Sequence, residues 1–229
     1  MLNKKHEKMI LLDVPSILNE DFIVNAEPMQ GFLFTLLSIC GTIALSGVIY
    51  GYADNPSPST KICILGQKGS GKTTFLNWLR NRTFTSTYSQ TFDERYASFD
   101  YNGKKIEGGR DIGGGTDFVK DYYEDMINQN DVCIFLFDAH KFISDEVYRQ
   151  GTWDRAAFIY SKCPDSNKRH TIGTHFDQTS YDNVNKLREH ICDLSKHKCF
   201  ADMFLKSCTI VDLTKKESFE DCAKRIFGV

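Results

Sequence analysis

Neither sign of charge prevails in this chain. Its 229 residues carry 28 Lys and Arg against 30 Asp and Glu, a formal net charge of −2. Without a global basic field it lacks the electrostatic footprint of a nucleic-acid binder, and no nucleic acid is expected as a partner. The eight cysteines include no C-x-x-C pair. Cys63, Cys133 and Cys208 sit instead in apolar, strand-like runs, where a free thiol behaves as a small buried hydrophobe. A reduced, cytosol-facing domain is expected. The stretch "HICDLSKHKC", His190 to Cys199, has zinc-type residues without a zinc-ligand spacing, and reads as the end of an amphipathic helix with its loop. No internal repeat occurs, and no low-complexity tract beyond the Ser/Thr-rich "TFTSTYSQTF" at 83–92. Length and a 41% hydrophobic content suit one globular domain with an appendage.

A second lack is local. Between Glu27 and Asp54 there is no charged residue, and Gly31–Tyr52 exceeds the roughly 20 apolar residues that a membrane helix needs. Tyr50 and Tyr52 stand at one end, as interfacial aromatics do. A cleaved signal peptide is not expected, because the 30 residues before the span hold five acids against three lysines. Residues 1–30 therefore read as a tail that lies along a membrane or covers a partner, 31–52 as a single transmembrane helix contacting the lipid bilayer, and 53–59, "ADNPSPS", as a linker. Gly47 and Gly51 form a G-x-x-x-G that suits helix packing. Lysine placement does not fix the orientation, so the chemistry of the domain at 60–229 must.

That chemistry begins at Gly66–Thr73, "GQKGSGKT", which fits G-x-x-x-x-G-K-[ST] without substitution. An apolar run, "KICIL", precedes it as a buried parallel strand. "TTFLNWL" comes after it as a helix with Phe75, Leu76 and Leu79 on one face. In such a loop Gly66, Gly69, Ser70, Gly71 and Thr74 belong to the phosphate cradle, where backbone amides and a helix N-terminus face the anion. Lys72 bridges the terminal phosphates and Thr73 offers its hydroxyl to Mg2+. Further on, Asn102-Gly103 signals a hairpin, whose second strand is expected to end in Asp111-Ile112-Gly113-Gly114, a D-x-x-G. Asp111 would hold magnesium through water, and the Gly114 amide would meet the terminal phosphate. A helix, "VKDYYEDMI", and a buried strand, "DVCIFLFD", come next.

Taken together, these motifs resemble the Ras-superfamily small GTPases, and "RDIGGGTDF…YYEDMINQNDVCIFLFD" is most similar to the Arf-like branch. A membrane helix joined to such a domain also resembles the beta subunits of signal recognition particle receptors. The resemblance implies an α/β P-loop fold, a mostly parallel sheet flanked by helices, binding GTP or GDP with Mg2+ at the strand C-terminal ends. It implies a switch threonine on magnesium, for which Thr91, 18 residues beyond Thr73, is preferred to Thr87 and Ser89. It places base recognition at "THFD", Thr174 to Asp177: the Asp177 carboxylate would accept from guanine N–H groups that adenine does not present. His175 occupies the usual lysine position. The last loop, "DLT", would turn the Leu213 N–H toward the guanine carbonyl.

Two departures matter. Gly115 stands where relatives carry a water-orienting glutamine, which leaves Thr116 or Asp117 as substitutes. Slow, partner-assisted GTP hydrolysis then competes with a non-hydrolysing, nucleotide-dependent scaffold, and a P-loop ATPase is a third reading. Gly108, Gly109 and Arg110 replace apolar strand residues, which suggests an inter-switch region that is mobile or closes on a partner. Elsewhere "SDEVYRQGTWDRAAFIY" (144–160), "SYDNVNKLREHICDL" (180–194) and "ESFEDCAKRIF" (217–227) read as helices, the first opened by Ser144 and interrupted at its glycine. Trp78 and Trp153 read as packing residues. The expected whole is a membrane-anchored GTP-binding switch in trafficking or protein targeting. Its domain faces the cytosol, for instance from the endoplasmic reticulum, and its switch regions recruit a cytosolic protein.

Overall fold

A computed structural model of the chain describes residues 59–82, 93–115 and 117–229, all within the compact unit Pro56–Val229. The tail, the Gly31–Tyr52 span, most of the linker, Thr91 and Thr116 lie outside the described residues. Among those described, no helix is long and apolar enough to cross a membrane.

The "KICIL" run forms β1 (Ile62–Gly66), buried along its whole length, and Lys72–Leu79 forms α1. A ribbon comes next, built from β2 (Asp93–Tyr96), β3 (Phe99–Tyr101), β4 (Lys104–Ile106) and β5 (Gly109–Ile112). Then come α2 (Asp117–Gln129), β6 (Val132–Asp138), α3 (Ala139–Ser144), α4 (Glu146–Lys162) and β7 (Arg169–Thr174). The chain closes with α5 (Val184–Ser195), α6 (Ala201–Leu205), β8 (Cys208–Ile210) and α7 (Lys216–Phe227). Strands β1, β6, β7 and β8 pair in that order, all parallel. This is the parallel core that the resemblance implies, with the apolar runs "KICIL" and "DVCIFLFD" as its buried strands.

Alternation along the strands sorts the core into two layers. Cys63, Leu65, Cys133, Phe135 and Phe137 face one side and pack with Tyr123 and Ile127 of α2, Ala156 and Ile159 of α4, Leu187 and Ile191 of α5 and Phe204 of α6. Ile62, Ile64, Ile134 and Leu136 face the other and meet Phe75, Leu76 and Leu79 of α1 and Phe219, Cys222 and Phe227 of α7. Trp78 stacks on Phe219 at 5.9 Å, and Trp153 meets Phe142 edge-on at 6.0 Å. Both tryptophans pack, as expected.

The hairpin at Asn102-Gly103 forms with both turn residues at positive φ, 48° and 80°, the geometry that Asn-Gly favours. Its second arm is not one strand. It breaks between β4 and β5, and β5 pairs with β2 rather than continuing against β3. Gly108 and Gly109 explain the break. A Cβ on Gly108 would lie 2.7 Å from the Tyr96 carbonyl, and one on Gly109 would lie 2.6 Å from Tyr96 Oη. The Tyr96 ring crosses over Gly109, and its hydroxyl donates to the Ile62 carbonyl of β1 at 3.5 Å. Beside β1, the ribbon is tied at Thr60, whose N–H donates to the Lys105 carbonyl (2.9 Å) and whose carbonyl accepts from Glu107 (3.0 Å). The two glycines thus make room for a tyrosine.

The helix expected over 144–160 forms as one piece, α4, but it starts two residues later. Ser144 ends the preceding α3, and it is Asp145, not Ser144, that caps α4 by accepting from the Tyr148 N–H at 3.0 Å. Gly151 lies inside α4 without interrupting it.

Replacing Gly108 with Ala is expected to destabilise the fold by about 1–3 kcal/mol, because the neighbour is backbone and cannot rotate away. Urea unfolding of the variant beside the wild type measures it, and an unchanged midpoint would contradict the account of the ribbon break.

Candidate functional site

Residues singled out in the sequence converge at the C-terminal ends of β1, β7 and β8. Gly66 ends β1 at φ 152°, and a Cβ there would collide with the Leu136 carbonyl of β6 and crowd Ser70 Oγ. Gly71 caps α1 in the left-handed region, φ 85°, with the Leu213 side chain against its Cα. Lys72 turns back over the loop and donates to the carbonyls of Gly66 (3.1 Å) and Gln67 (2.9 Å). Burial lowers its pKa to about 8, against the pull of Asp111 and with a further push from Arg155. Thr73 and Thr74 lie in the first turn of α1, whose leading amides have no intrahelical acceptor. Ser70 is fully buried, and its hydroxyl has no partner among the described residues.

Asp111, on β5, comes within reach of α1: Thr73 Oγ1 donates to its Oδ2 at 2.8 Å. Its carboxyl is only 4% exposed, and burial raises its pKa, opposed by the Thr73 hydrogen bond and by Lys72. A hydroxyl and a carboxylate in contact at the mouth of a phosphate loop are the hard oxygen donors that suit Mg2+. Gly114 lies directly on the phosphate loop, where a Cβ would collide with the backbone of Gln67 and Lys68.

Motif reading missed the side chains that hold this end together. Tyr123 of α2 bridges Gly66, accepting from its N–H (3.0 Å) and donating to its carbonyl (3.2 Å). The Gln67 amide donates to the Tyr148 carbonyl (2.9 Å) and Thr152 Oγ1 (3.2 Å) of α4. Arg155, also on α4, donates to the Gly114 carbonyl at 3.1 Å. Lys141 pairs with the buried Asp138 at 3.1 Å and brings its ammonium over Gly69. These residues are 41 to 85 positions from their partners, except for Lys141 and Asp138, and no local pattern announces them.

At the other end, Thr174 works as a brace. Its hydroxyl lies 3.1 Å from the carbonyls of both Ser70 and Phe137, and 2.7 Å from His175 Nδ1. His175 is left-handed, φ 58°, and its Nδ1 lies 3.8 Å from Asp138 Oδ2. Asp177 sits just beyond in a short 3-10 turn, exposed. Leu213 is held from both sides: Trp78 Nε1 donates to its carbonyl at 2.9 Å, while Asp212 accepts from the Thr214 N–H (3.0 Å) and pairs with Lys215 (3.0 Å).

No protein-family model matches the chain, and no curated protein matches it. Among solved structures it is similar to the Arl6 BBS3 small GTPase from Trypanosoma brucei with bound nucleotide analogue GppNp. The two share 14% identity with a TM-score of 0.54, over 74% of this chain and 95% of that one. The fold is therefore that of a small GTPase, an α/β unit with a parallel central sheet.

Lys72 gives this site a pH signature. With its pKa lowered from about 10.5 to about 8, the folded free protein holds fewer protons than the unfolded chain across that window, and gains stability as pH rises through it. A polyphosphate bound at this loop is expected to restore the ammonium. Its binding at pH 9 is expected to take up close to one proton, and its affinity to fall as pH rises past about 8. Titration calorimetry in buffers of different ionisation enthalpy reads the uptake. Identical heats across buffers would contradict the assignment.

Proposed function

We propose that the chain is a GTP-binding switch protein, anchored in a membrane by Gly31–Tyr52, with the domain at 60–229 facing the cytosol. One observation carries the reading: a complete phosphate loop meets a D-x-x-G acid, Asp111, at 2.8 Å from its own Thr73, at the strand ends where "THFD" and "DLT" also emerge. The likeness to a small GTPase that was solved with a nucleotide analogue supports the same assignment.

Each residue then has a role. The loop amides and Lys72 hold the phosphates. Thr73 and Asp111 hold Mg2+, joined by Thr91 from the stretch outside the described residues. When bound, magnesium neutralises charge on the terminal phosphates. The Gly114 amide reads the terminal phosphate. Asp177, exposed, accepts from the guanine N–H groups, and Leu213 N–H donates to its carbonyl. The surface that changes with the third phosphate recruits a cytosolic protein in membrane trafficking or protein targeting.

Hydrolysis is slow and partner-assisted, because Gly115 has no side chain with which to orient water. A scaffold that keeps its nucleotide is the second reading, favoured by the same missing side chain.

Displacement of a fluorescent guanine nucleotide tests the function. The full-length protein is expected to prefer guanine over adenine nucleotides, and Asp177→Ala to weaken guanine binding by roughly 10- to 100-fold, the value of losing charge-assisted hydrogen bonds. Equal affinity for the two bases would sink the proposal. Single-turnover hydrolysis, with and without cell extract, separates a partner-assisted switch from a scaffold.

A further inference from the structure

Arg155 is 6% exposed. No carboxylate pairs with it among the described residues. Two of its five N–H groups are used on neutral carbonyls, Gly151 at 3.0 Å and Gly114 at 3.1 Å, and the neutral Tyr123 hydroxyl is its other polar neighbour. Its Nε–H is buried with no acceptor among the described residues. A guanidinium in this state carries an uncompensated charge, which is expensive to bury unless an anion answers it.

The two buried acids at this end of the sheet are already engaged. Asp111 accepts from Thr73, and Asp138 pairs with Lys141. Lys72, itself 7% exposed, adds a second buried cation whose charge Arg155 disfavours. Lys72 is drawn toward Asp111, whereas Arg155 has no carboxylate of its own among the described residues, so this buried guanidinium is the charge left unanswered. The excess lies beside Gly114, the residue whose amide is assigned to the third phosphate and not to the first two.

We propose that Arg155 is a specificity-determining residue that distinguishes a nucleoside triphosphate from a diphosphate. It supplies the second positive charge facing the terminal phosphate and fixes the Gly114 backbone that contacts it. The inference rests on the guanine-nucleotide reading and adds the residue that senses the third phosphate. It also gives a reason for a cation at this place in a chain where Gly115 contributes no side chain to the same region. Unlike the loop lysine, Arg155 comes from α4, so the third phosphate is coupled to a helix at the back of the loop. The same helix holds Gln67 through Tyr148 and Thr152.

The test compares the affinity of full-length protein, in mild detergent, for GDP and for a non-hydrolysable GTP analogue, with wild type, Arg155→Lys and Arg155→Met. Arg155→Met is expected to weaken the analogue about tenfold or more relative to GDP, and Arg155→Lys to recover part of that ratio. A merely structural clamp would weaken both nucleotides alike, and an unchanged ratio overturns the proposal. If Arg155→Met fails to fold, Arg155→Lys carries the test by itself, with a preferential loss of the analogue expected and an unchanged ratio overturning it. Wild-type protein that binds neither guanine nucleotide overturns the functional reading instead, a result distinct from a ratio that does not move.

Discussion

At the end of β1 two backbones touch because position 66 has no side chain. Any Cβ on Gly66 would strike the Leu136 carbonyl of β6, so the loop stays low against the sheet only as glycine. That closeness orders the rest of the phosphate end. It sets the loop carbonyls where Lys72 can donate to two of them, and it aims α1 so that Thr73 meets Asp111 from a separate ribbon. The parallel sheet makes the meeting possible, because β1, β7 and β8 all end on the same side and their loops share one space.

Polar groups drawn into that space are held by partners far away in sequence. Tyr123 satisfies both main-chain groups of Gly66, and Thr174 ties the ends of β6 and β7 to Ser70. Such bridges substitute for water at a buried loop, where an unmet amide or carbonyl is costly. Helix α4 is part of the same frame. It touches the phosphate loop through Gln67 and the Asp111 loop through Gly114. Binding chemistry and helix packing are therefore one network here.

Much of this was legible in the sequence, for reasons that differ by element. The phosphate loop, β1 and α1 are contiguous, so glycine spacing and apolar periodicity suffice to mark them. Asp111 was legible through a hairpin signal and an interval. Gly108 and Gly109 stood out in the sequence, but as signs of a mobile or partner-closing region; the break in the ribbon and its cause were not visible there. Tyr96 lies on the opposite arm, and only the fold brings its ring over Gly109. The start of α4 was misread because Ser144 and Asp145 both suit a cap, and tertiary contacts choose between them. Arg155 and Tyr123 were read as ordinary helix residues, because a side chain's partner across the core leaves no local trace. His175 was noticed only as a departure from a motif, while its ties to Thr174 and Asp138 come from the chain's turn into a left-handed conformation.

The strand cysteines have a practical side. Cys63 and Cys133 sit opposite one another on neighbouring strands, both in the core, and Cys133 is pushed well up by its contact with Cys63 and by burial. Burial also raises Cys208 and Cys222, each to about 12. Thiols of that kind are almost never thiolates at neutral pH, and so resist alkylation and oxidation. Among the described residues Cys199 alone is an exposed thiol, and none of the loops at 66–73, 111–115, 174–177 and 212–214 contains a cysteine. Maleimide chemistry on the folded domain therefore attaches a dye at Cys199 ahead of any thiol in the core, and away from the four loops that carry the motifs.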